Sequence, residues 1–186
     1  YSYQSGNWND PLSWTTDGSS FPLYVNPAPA KVPGVGDNVV ITSGKTITMD
    51  VNNVTTNSIN IVGTLDIAGT TGHTFNTIAG AGRIKLAGTN DNFPAGNAAN
   101  FVDNAVGGTV EINGSGILLD QVRTFNNLTI NTTGNSDVSV LKRNITLNGD
   151  LTISRGLLQF EDATAPANRT LTVNGHVNVE SNGGIR

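Results

Sequence analysis

The stretch "FNNLTINTTGNSDVSVLKRNITLNGDLTI", residues 125–153, decides the fold class of this chain. It repeats one unit: an apolar residue, a polar residue and a second apolar residue, followed by a turn rich in Asn and Gly. Such alternation predicts short β-strands with one buried face, because successive side chains of a strand point in opposite directions. Asn and Gly between the strands indicate tight turns, since both residues tolerate left-handed backbone conformations.

The composition of the whole chain agrees with a β fold. Its 186 residues suit a single domain, and 37% of them are apolar, which is enough for a continuous core. The chain contains 22 glycines, and only 13% of its residues are charged. Because Gly, Asn and Thr are poor helix formers and charged helix formers are scarce, an all-β structure is predicted.

Charge and cysteine content argue against several classes of function. The net charge is -4 and Lys and Arg do not cluster, so we expect no nucleic-acid partner. The sequence contains no apolar run of about eighteen residues, so no membrane insertion is expected. Without cysteine, disulfides and thiolate metal sites are excluded. The chain begins at Tyr1 instead of Met, which predicts processing after export or a fragment of a longer protein.

The apolar–polar–apolar triplet recurs at intervals of about 20 residues. The strongest examples are Ile47–Met49, Leu65–Ile67, Ile84–Leu86, Val110–Ile112, Leu128–Ile130, Leu151–Ile153 and Leu171–Val173. Each unit is too short to bury its own apolar face and must stack on the next unit. The repeat predicts a right-handed parallel β-helix, a solenoid of about seven rungs. The alternative is an antiparallel β-sandwich, whose strands are also short and evenly spaced.

Stacking of these triplets would bring their central residues into one outward-facing file. The file reads Thr48, Asp66, Lys85, Glu111, Thr129, Thr152 and Thr172. Lys85 lies between two carboxylates in this order, which predicts exposed cross-strand ion pairs. Asp66, Lys85 and Glu111 are therefore the candidate exposed binding face. A carbohydrate-cleaving β-helix would also place its carboxylates on such a face.

The N-terminal segment differs in composition from the repeats. Residues 1–36 contain both tryptophans, Trp8 and Trp14, as well as Phe21, Tyr24 and five prolines. An aromatic, Pro-rich segment of this kind is predicted to cap the end of a solenoid, where apolar surface and strand edges would otherwise be exposed. Alternatively, Trp8 and Trp14 form an aromatic platform for sugar rings.

The remaining residues, 37–186, are predicted to form the β-helix. A second irregular segment, residues 87–108, is predicted to be an insertion, in which Ala98–Val106 forms either one short helix or a packed loop. The C-terminal stretch "VNVESNGGIR" lacks aromatic or Pro-rich cover. We therefore expect that the natural protein continues beyond Arg186 or that another copy docks there.

Side chains suited to catalysis are scarce. The histidines are His73 and His176, each of which follows a Gly turn, and their separation along the chain argues against a shared site. Both are predicted to be structural corner residues. We predict that the chain is not an enzyme and that it has no catalytic residues, no cofactor and no metal site.

Two parts of the sequence resemble known families. "GNWNDPLSW" followed by "VPGVGDNVVITSGKTITMDVNNVTTNSINIVGTLDI" resembles the entry segment of extracellular β-helix proteins, including the eight-glycine domain of hyaluronidase-like and fibrocystin-like surface proteins. "NFPAG", "GGTVEINGSG", "FNNLTI" and "ITLNGDLTISRGLLQF" resemble the repeat modules of large secreted surface proteins of Bacteroidetes. The resemblance implies a passive module of a cell-surface or adhesin protein that is exported by type IX secretion. It offers no catalytic residues for these positions.

These observations together predict a non-enzymatic structural or adhesive module of an exported bacterial cell-surface or filament protein, located outside the cell. Its expected partners are further repeats of the same chain, other copies of itself, or surface glycans. The alternative function is that of a carbohydrate-binding or carbohydrate-cleaving β-helix.

Overall fold

The computed structural model describes residues 1–18, 31–87, 92–103, 106–115, 118–119, 124–160 and 169–186. The fold is all-β, as predicted. The strands are β1 (Gly6–Asn7), β2 (Asn38–Ile41), β3 (Thr46–Thr48), β4 (Thr55–Ile61), β5 (Thr64–Asp66), β6 (Thr74–Ala79), β7 (Arg83–Leu86), β8 (Ala95–Asn97), β9 (Thr109–Ile112), β10 (Leu118–Leu119), β11 (Thr124–Phe125), β12 (Asn127–Asn131), β13 (Val138–Leu141), β14 (Ile145–Leu147), β15 (Leu151–Gln159), β16 (Leu171–Val173) and β17 (Val177–Ile185). A short 3-10 helix covers Pro11–Ser13, and one turn of α-helix, α1, covers Ala99–Val102.

Within the described residues, the strands form three sheets. The long sheet has the order β1-β3-β5-β7-β9-β12-β15-β13-β10, and β17 also pairs with β15. A four-stranded sheet has the order β2-β4-β6-β8, and a three-stranded sheet has the order β11-β14-β16. Each pairing between these strands is parallel. The alternative of an antiparallel sandwich is therefore wrong, whereas the parallel pairing is compatible with a β-helix.

The register of the long sheet follows the sequence repeat for all but the last triplet. Ile47, Leu65, Ile84, Val110, Leu128 and Leu151 lie directly beside one another on successive strands. The prediction that Leu171–Val173 comes next is wrong: β17 places Val177 beside Leu151. The triplet at 171–173 pairs instead with β14, so Thr172 lies beside Thr146 in the three-stranded sheet. The outward file consequently ends at Asn178 and not at Thr172.

The apolar residues of these triplets form the core. The first apolar residues of the six stacked triplets, from Ile47 to Leu151, are at most 1% exposed. The second apolar residues of the same triplets, from Met49 to Ile153, are also at most 1% exposed. Burial of one such side chain contributes about 1.5–3 kcal/mol. The burial therefore extends without interruption from β3 to β15 along the long sheet.

The N-terminal segment closes one end of the core. Ser2 forms an isolated antiparallel bridge with Trp14, and its backbone N–H donates to Val40 O at 2.8 Å. Trp8 donates its backbone N–H to Thr48 O, also at 2.8 Å. Residues 1–18 thus contact the first strands of two sheets, and the capping role predicted for residues 1–36 stays a prediction. Residues 19–30, which include Phe21 and Tyr24, lie outside the described residues, and the boundary between cap and coils at residues 36 and 37 stays a prediction.

The predicted insertion contributes one strand and one helical turn. β8 pairs with β6 in the four-stranded sheet. α1 lies within the segment Ala98–Val106, for which a short helix was one of two predicted structures, and it buries Phe101 and Val102 in the core. Residues 88–91 and 104–105 of the insertion lie outside the described residues.

Candidate functional site

The candidate binding face lies on adjacent strands of the long sheet. Asp66 on β5, Lys85 on β7 and Glu111 on β9 are directly beside one another, as the repeat predicts. Parallel strands lie about 4.8 Å apart, so side chains in one file interact with their nearest neighbours. The pairing of the strands therefore brings the three predicted residues together.

The ionic contacts of this face involve residues that the sequence reasoning missed. Lys85 Nζ forms an ion pair with Asp66 Oδ2 at 3.3 Å. Glu111 pairs with Arg83, whose Nη1 donates to Glu111 Oε2, and not with Lys85. Asn131 Nδ2 donates to the other carboxylate oxygen, Oε1, at 3.2 Å. Arg83 lies two residues before Lys85 on the same strand, so the stacking register alone would have placed it diagonally beside Glu111.

A further side chain completes this group of residues. With its amide oriented to satisfy both neighbours, Asn113 donates to Leu86 O at 2.9 Å and accepts from Lys85 Nζ at 3.3 Å. We call Asp66, Arg83, Lys85, Glu111, Asn113 and Asn131 the charge cluster. Its two cations and two carboxylates are matched one to one, so the cluster carries no net charge.

The prediction that this face is exposed is wrong for Glu111, which is only 5% exposed. Its side chain is covered because Arg83 and Asn131 reach over it from β7 and β12. Asp66 and Lys85 are partly covered as well, with side-chain exposures of 18% and 27%. A ligand would have to displace protein partners from Glu111 before it could contact either carboxylate oxygen.

The aromatic platform predicted from Trp8 and Trp14 is also wrong. Both side chains are 1% exposed, because the two rings pack against each other edge to face, with centroids 4.9 Å apart at 71°. Trp8 also stacks on Phe75 at 5.9 Å and 24°. Trp14 Nε1 donates to Trp8 O at 2.8 Å, which satisfies the indole N–H inside the core. Rings that are buried in this way offer no face to a sugar.

His73 is a buried, neutral histidine with defined partners. It is 3% exposed, and its Nδ1 accepts the backbone N–H of Val54 at 3.4 Å. Its Nε2 lies 2.9 Å from Thr70 Oγ1, and that hydroxyl donates to Ile67 O at 2.6 Å. The hydroxyl can therefore only accept from Nε2, which fixes the Nε2–H tautomer. Burial lowers the pKa of His73, because the charged imidazolium loses its hydration.

The stability of the protein is expected to fall between pH 7 and pH 5.5 because of His73. The unfolded chain takes up a proton below a pKa of about 6.5, whereas folded His73 stays neutral to lower pH. The contribution is thus fully present above that value and is lost as the pH falls toward the folded pKa. We expect the Tm, measured by circular dichroism, to drop by about 2–4 °C over this interval.

A matched pair of variants isolates this effect. His73→Asn keeps an acceptor near Val54 N–H but cannot titrate, so its Tm should fall less than that of the unaltered chain between pH 7 and pH 5.5. His176→Asn should retain the drop, because the His176 side chain is 95% exposed. A Tm of the unaltered chain that does not change between pH 7 and pH 5.5 would contradict the lowered pKa of His73.

Three carboxylates titrate well outside that interval. The pKa values of Asp37 and Asp137 are lowered mainly because each accepts a backbone N–H, from Gly34 at 2.8 Å and Gly134 at 2.7 Å. Asp150 has a lowered pKa because it accepts the backbone N–H of His176 at 2.7 Å. These groups favour the folded state above their unfolded pKa, and this stabilisation is lost only as the pH falls below about 4.

The part of the chain that the structure describes contains neither a candidate metal site nor a membrane-spanning helix. Within it, no three residues among His, Asp and Glu are close enough together to hold a metal ion. None of its helices has the length and apolar character needed to span a bilayer. The charge cluster is therefore the group of interacting polar side chains that best merits a functional test.

Comparison with known proteins does not identify a relative. No protein family model, curated protein or solved structure matches this chain. The resemblance to Bacteroidetes surface modules and to the eight-glycine entry segment therefore stays a prediction from the quoted residues.

Proposed function

We propose that this chain is a right-handed parallel β-helix of about seven coils that serves as a non-enzymatic structural or adhesive module of an exported bacterial cell-surface or filament protein. The observation that carries the proposal is the uninterrupted parallel register from Ile47 on β3 to Val177 on β17. Solenoids depend on such neighbour-to-neighbour burial. At about 4.8 Å per strand, seven strands span on the order of 34 Å, which suits a rigid spacer.

The outer surface supports a passive role. In the charge cluster, Lys85 neutralises Asp66 and Arg83 neutralises Glu111, and both oxygens of Glu111 are hydrogen-bonded. Such an arrangement stabilises neighbouring coils but leaves no unmatched group for chemistry on a bound substrate. The partners consistent with this role are further coils of the same kind, other copies of the chain, and surface glycans. The resemblance to secreted surface modules supports an extracellular location.

One observation favours the alternative of a carbohydrate-binding or carbohydrate-cleaving β-helix. Asp66 and Glu111 lie in the same file with one strand between them, so their backbones are roughly 9–10 Å apart. Carboxylates separated by about 6.5–9.5 Å are typical of inverting glycoside hydrolases. Against this alternative, each carboxylate is engaged by a cation from the same sheet.

A glycan array and a panel of polysaccharide substrates distinguish the two functions. The variants are Glu111→Gln and Lys85→Ala, with Lys142→Ala as a control that removes a lysine after β13, outside the charge cluster. For the structural role we expect no hydrolysis and no binding that depends on the cluster. Glu111→Gln should instead lower the free energy of unfolding by about 1–2 kcal/mol, because Arg83 loses a charged partner but remains partly hydrated.

The opposite result would support the carbohydrate function. Saturable binding to a defined glycan that disappears in Glu111→Gln and Lys85→Ala, but persists in Lys142→Ala, would overturn the structural role. The melting temperature of each variant shows whether any loss of binding merely reflects unfolding.

A further inference from the structure

The predicted insertion between β7 and β9 forms a cavity on the surface of the molecule. The cavity measures about 420 Å³ and is lined by Phe93–Ala99, Val102 and Asp103, so it lies between β8 and α1. Cavities of roughly 300–1,000 Å³ are typical of small-molecule sites, and insertions in repeat proteins commonly lie on the binding face. We call it the insertion cavity. No residue of the charge cluster lines it, so it is a separate candidate site.

Small residues leave the insertion cavity open to solvent. Ala95, Gly96 and Ala99 are exposed, and none of them carries a side chain large enough to fill it. Gly96 has a φ of 137°, and a Cβ atom there would overlap Phe75 O, so β8 requires glycine at this position. The register between β6 and β8 also shifts along this strand. Irregular strands of this kind re-aim side chains and are common next to binding sites.

Two exposed polar side chains at the insertion cavity have unused hydrogen-bonding groups. Asn97 Oδ1 accepts the backbone N–H of Ala99 at 3.2 Å. Among the described residues, nothing accepts a hydrogen bond from Asn97 Nδ2, and nothing donates to the carboxylate of Asp103 or forms an ion pair with it. Glu111 differs, because both of its oxygens are engaged. The cavity therefore offers a ligand an amide donor and a carboxylate acceptor.

Phe93 adds an aromatic ring to the same lining. The side chain packs partly against the core and is half-buried. A ring of this kind beside a donor and an acceptor suits a ligand that has both C–H surface and hydroxyl groups. A sugar ring has C–H groups on its faces and hydroxyls around its edge. Its face can pack on Phe93 while its hydroxyls meet Asn97 and Asp103.

The charges around the insertion cavity favour a neutral sugar. No Lys or Arg lines it, so a phosphate, a sulfate or an acidic sugar would find no counter-charge and would be repelled by Asp103. A calcium ion needs about six to eight oxygen ligands, whereas this lining supplies one carboxylate. A wholly apolar ligand would cover Asp103 without giving it a hydrogen bond, which is costly.

We propose that the insertion cavity binds one ring of a neutral glycan, with Phe93 against the face of the sugar and with Asn97 and Asp103 on its hydroxyls. The inference rests on the adhesive role proposed above, and it adds the site and the class of the glycan. One aromatic face and two polar side chains are few contacts, so we expect a Kd on the order of 1 mM.

Titration of the ¹⁵N-labelled chain, followed by NMR, tests the site and the ligand. The probes are the methyl glycosides of glucose, galactose, mannose and N-acetylglucosamine. We expect at least one of them to cause saturable shifts of the backbone amides within residues 93–103. Methyl glucuronide, in which a carboxylate is added to the ring, should bind at least about 5-fold more weakly than methyl glucoside. No saturable shift with any neutral probe, shifts centred elsewhere, or equal binding of the glucuronide would overturn the proposal.

Variants identify the side chains that bind. Phe93→Ala and Asp103→Asn should each weaken binding by at least about 5-fold, because the first removes the aromatic face and the second removes a charged acceptor. Asp103 is exposed, so Asp103→Asn is expected to fold normally, and the Tm of each variant checks this. Glu180→Gln is the matched control, since it neutralises an exposed carboxylate on β17. Equal effects of Asp103→Asn and Glu180→Gln would contradict the site.

Failure of this inference can be told apart from failure of the proposed function. Glu111→Gln alters the charge cluster and leaves the insertion cavity unchanged, so it should bind the same sugar with the same Kd. Binding that disappears in Glu111→Gln would count against the structural role of the charge cluster and against this site. The absence of all sugar binding would overturn this inference and leave the structural role standing.

Discussion

Trp8→Ala is expected to lower the free energy of unfolding by about 3–5 kcal/mol, one of the two largest effects of a single substitution that we predict for this chain. Trp8 is 1% exposed and contacts Trp14 edge to face and Phe75 in a stacked geometry. Truncation leaves a cavity beneath the N-terminal segment and removes both aromatic contacts, while the backbone bond from Trp8 N–H to Thr48 O loses its packing support. Urea unfolding followed by circular dichroism measures the change.

Two control variants separate packing from other effects. Trp14→Phe keeps an aromatic ring but removes the hydrogen bond from Nε1 to Trp8 O, which should cost about 1 kcal/mol for the bond in addition to the smaller ring volume. Tyr1→Ala removes an aromatic side chain that is 41% exposed and should change the stability far less. A decrease of less than about 1 kcal/mol in the free energy of unfolding for Trp8→Ala would contradict the burial of this ring. Such a small decrease would fit an accessible ring, which a sugar-binding platform requires.

The stacking order of most strands was predictable from the sequence. An apolar–polar–apolar triplet has one buried face, and a repeat of about 20 residues brings each triplet beside the next. The register confirms this order, since the first apolar residues of the triplets from Ile47 to Leu151 are direct neighbours on successive strands. The physical basis is that a slip of one residue would turn the whole apolar set toward water.

The C-terminal triplets show where this pattern becomes ambiguous. Leu171–Val173 and Val177–Val179 have the same alternation and lie a few residues apart, while the number of residues between stacked triplets varies along the chain. Either triplet therefore satisfies the spacing. What places Val177 beside Leu151 is the turn at 174–176, where Gly175 donates to Gly149 O at 3.1 Å and His176 donates to Asp150 Oδ1 at 2.7 Å.

The burial of the charge cluster was harder to predict than its location. Glu111 occupies an outward position, and outward positions on a strand are normally hydrated. Its low exposure results from two side chains on different strands, Arg83 and Asn131, which lie far from it in sequence. The register gives their positions, but the choice of Arg83 over Lys85 as the partner of Glu111 depends on side-chain reach across a diagonal. Alternation of apolar and polar residues carries no information about that choice.

The second large effect is expected at the turn before β7, where Gly82→Ala should lower the free energy of unfolding by about 2–4 kcal/mol. A Cβ atom at position 82 would overlap the carbonyl oxygen of Gly63 and lie 2.7 Å from Ile61 O. Both obstacles belong to the backbone at the end of β4 and in the turn before β5, so no side-chain rotation relieves them. The turn is held on both sides, since Gly82 N–H donates to Ile61 O at 2.8 Å and Gly82 O accepts from Thr109 at 2.9 Å.

Gly69→Ala is the matched control for this prediction. A Cβ atom there meets no atom within 4 Å, and the backbone of Gly69 does not have a positive φ. The same chemical change should therefore be neutral or stabilise by up to about 1 kcal/mol, because alanine restricts the unfolded chain. Chemical denaturation of the two variants gives the comparison, and equal stabilities would contradict close contact between Gly82 and the backbone of residues 61–63. A large difference would mean that the turns, as well as the apolar core, fix the spacing between neighbouring parallel strands. A single methyl group on a turn would then force apart strands whose interior side chains are unchanged.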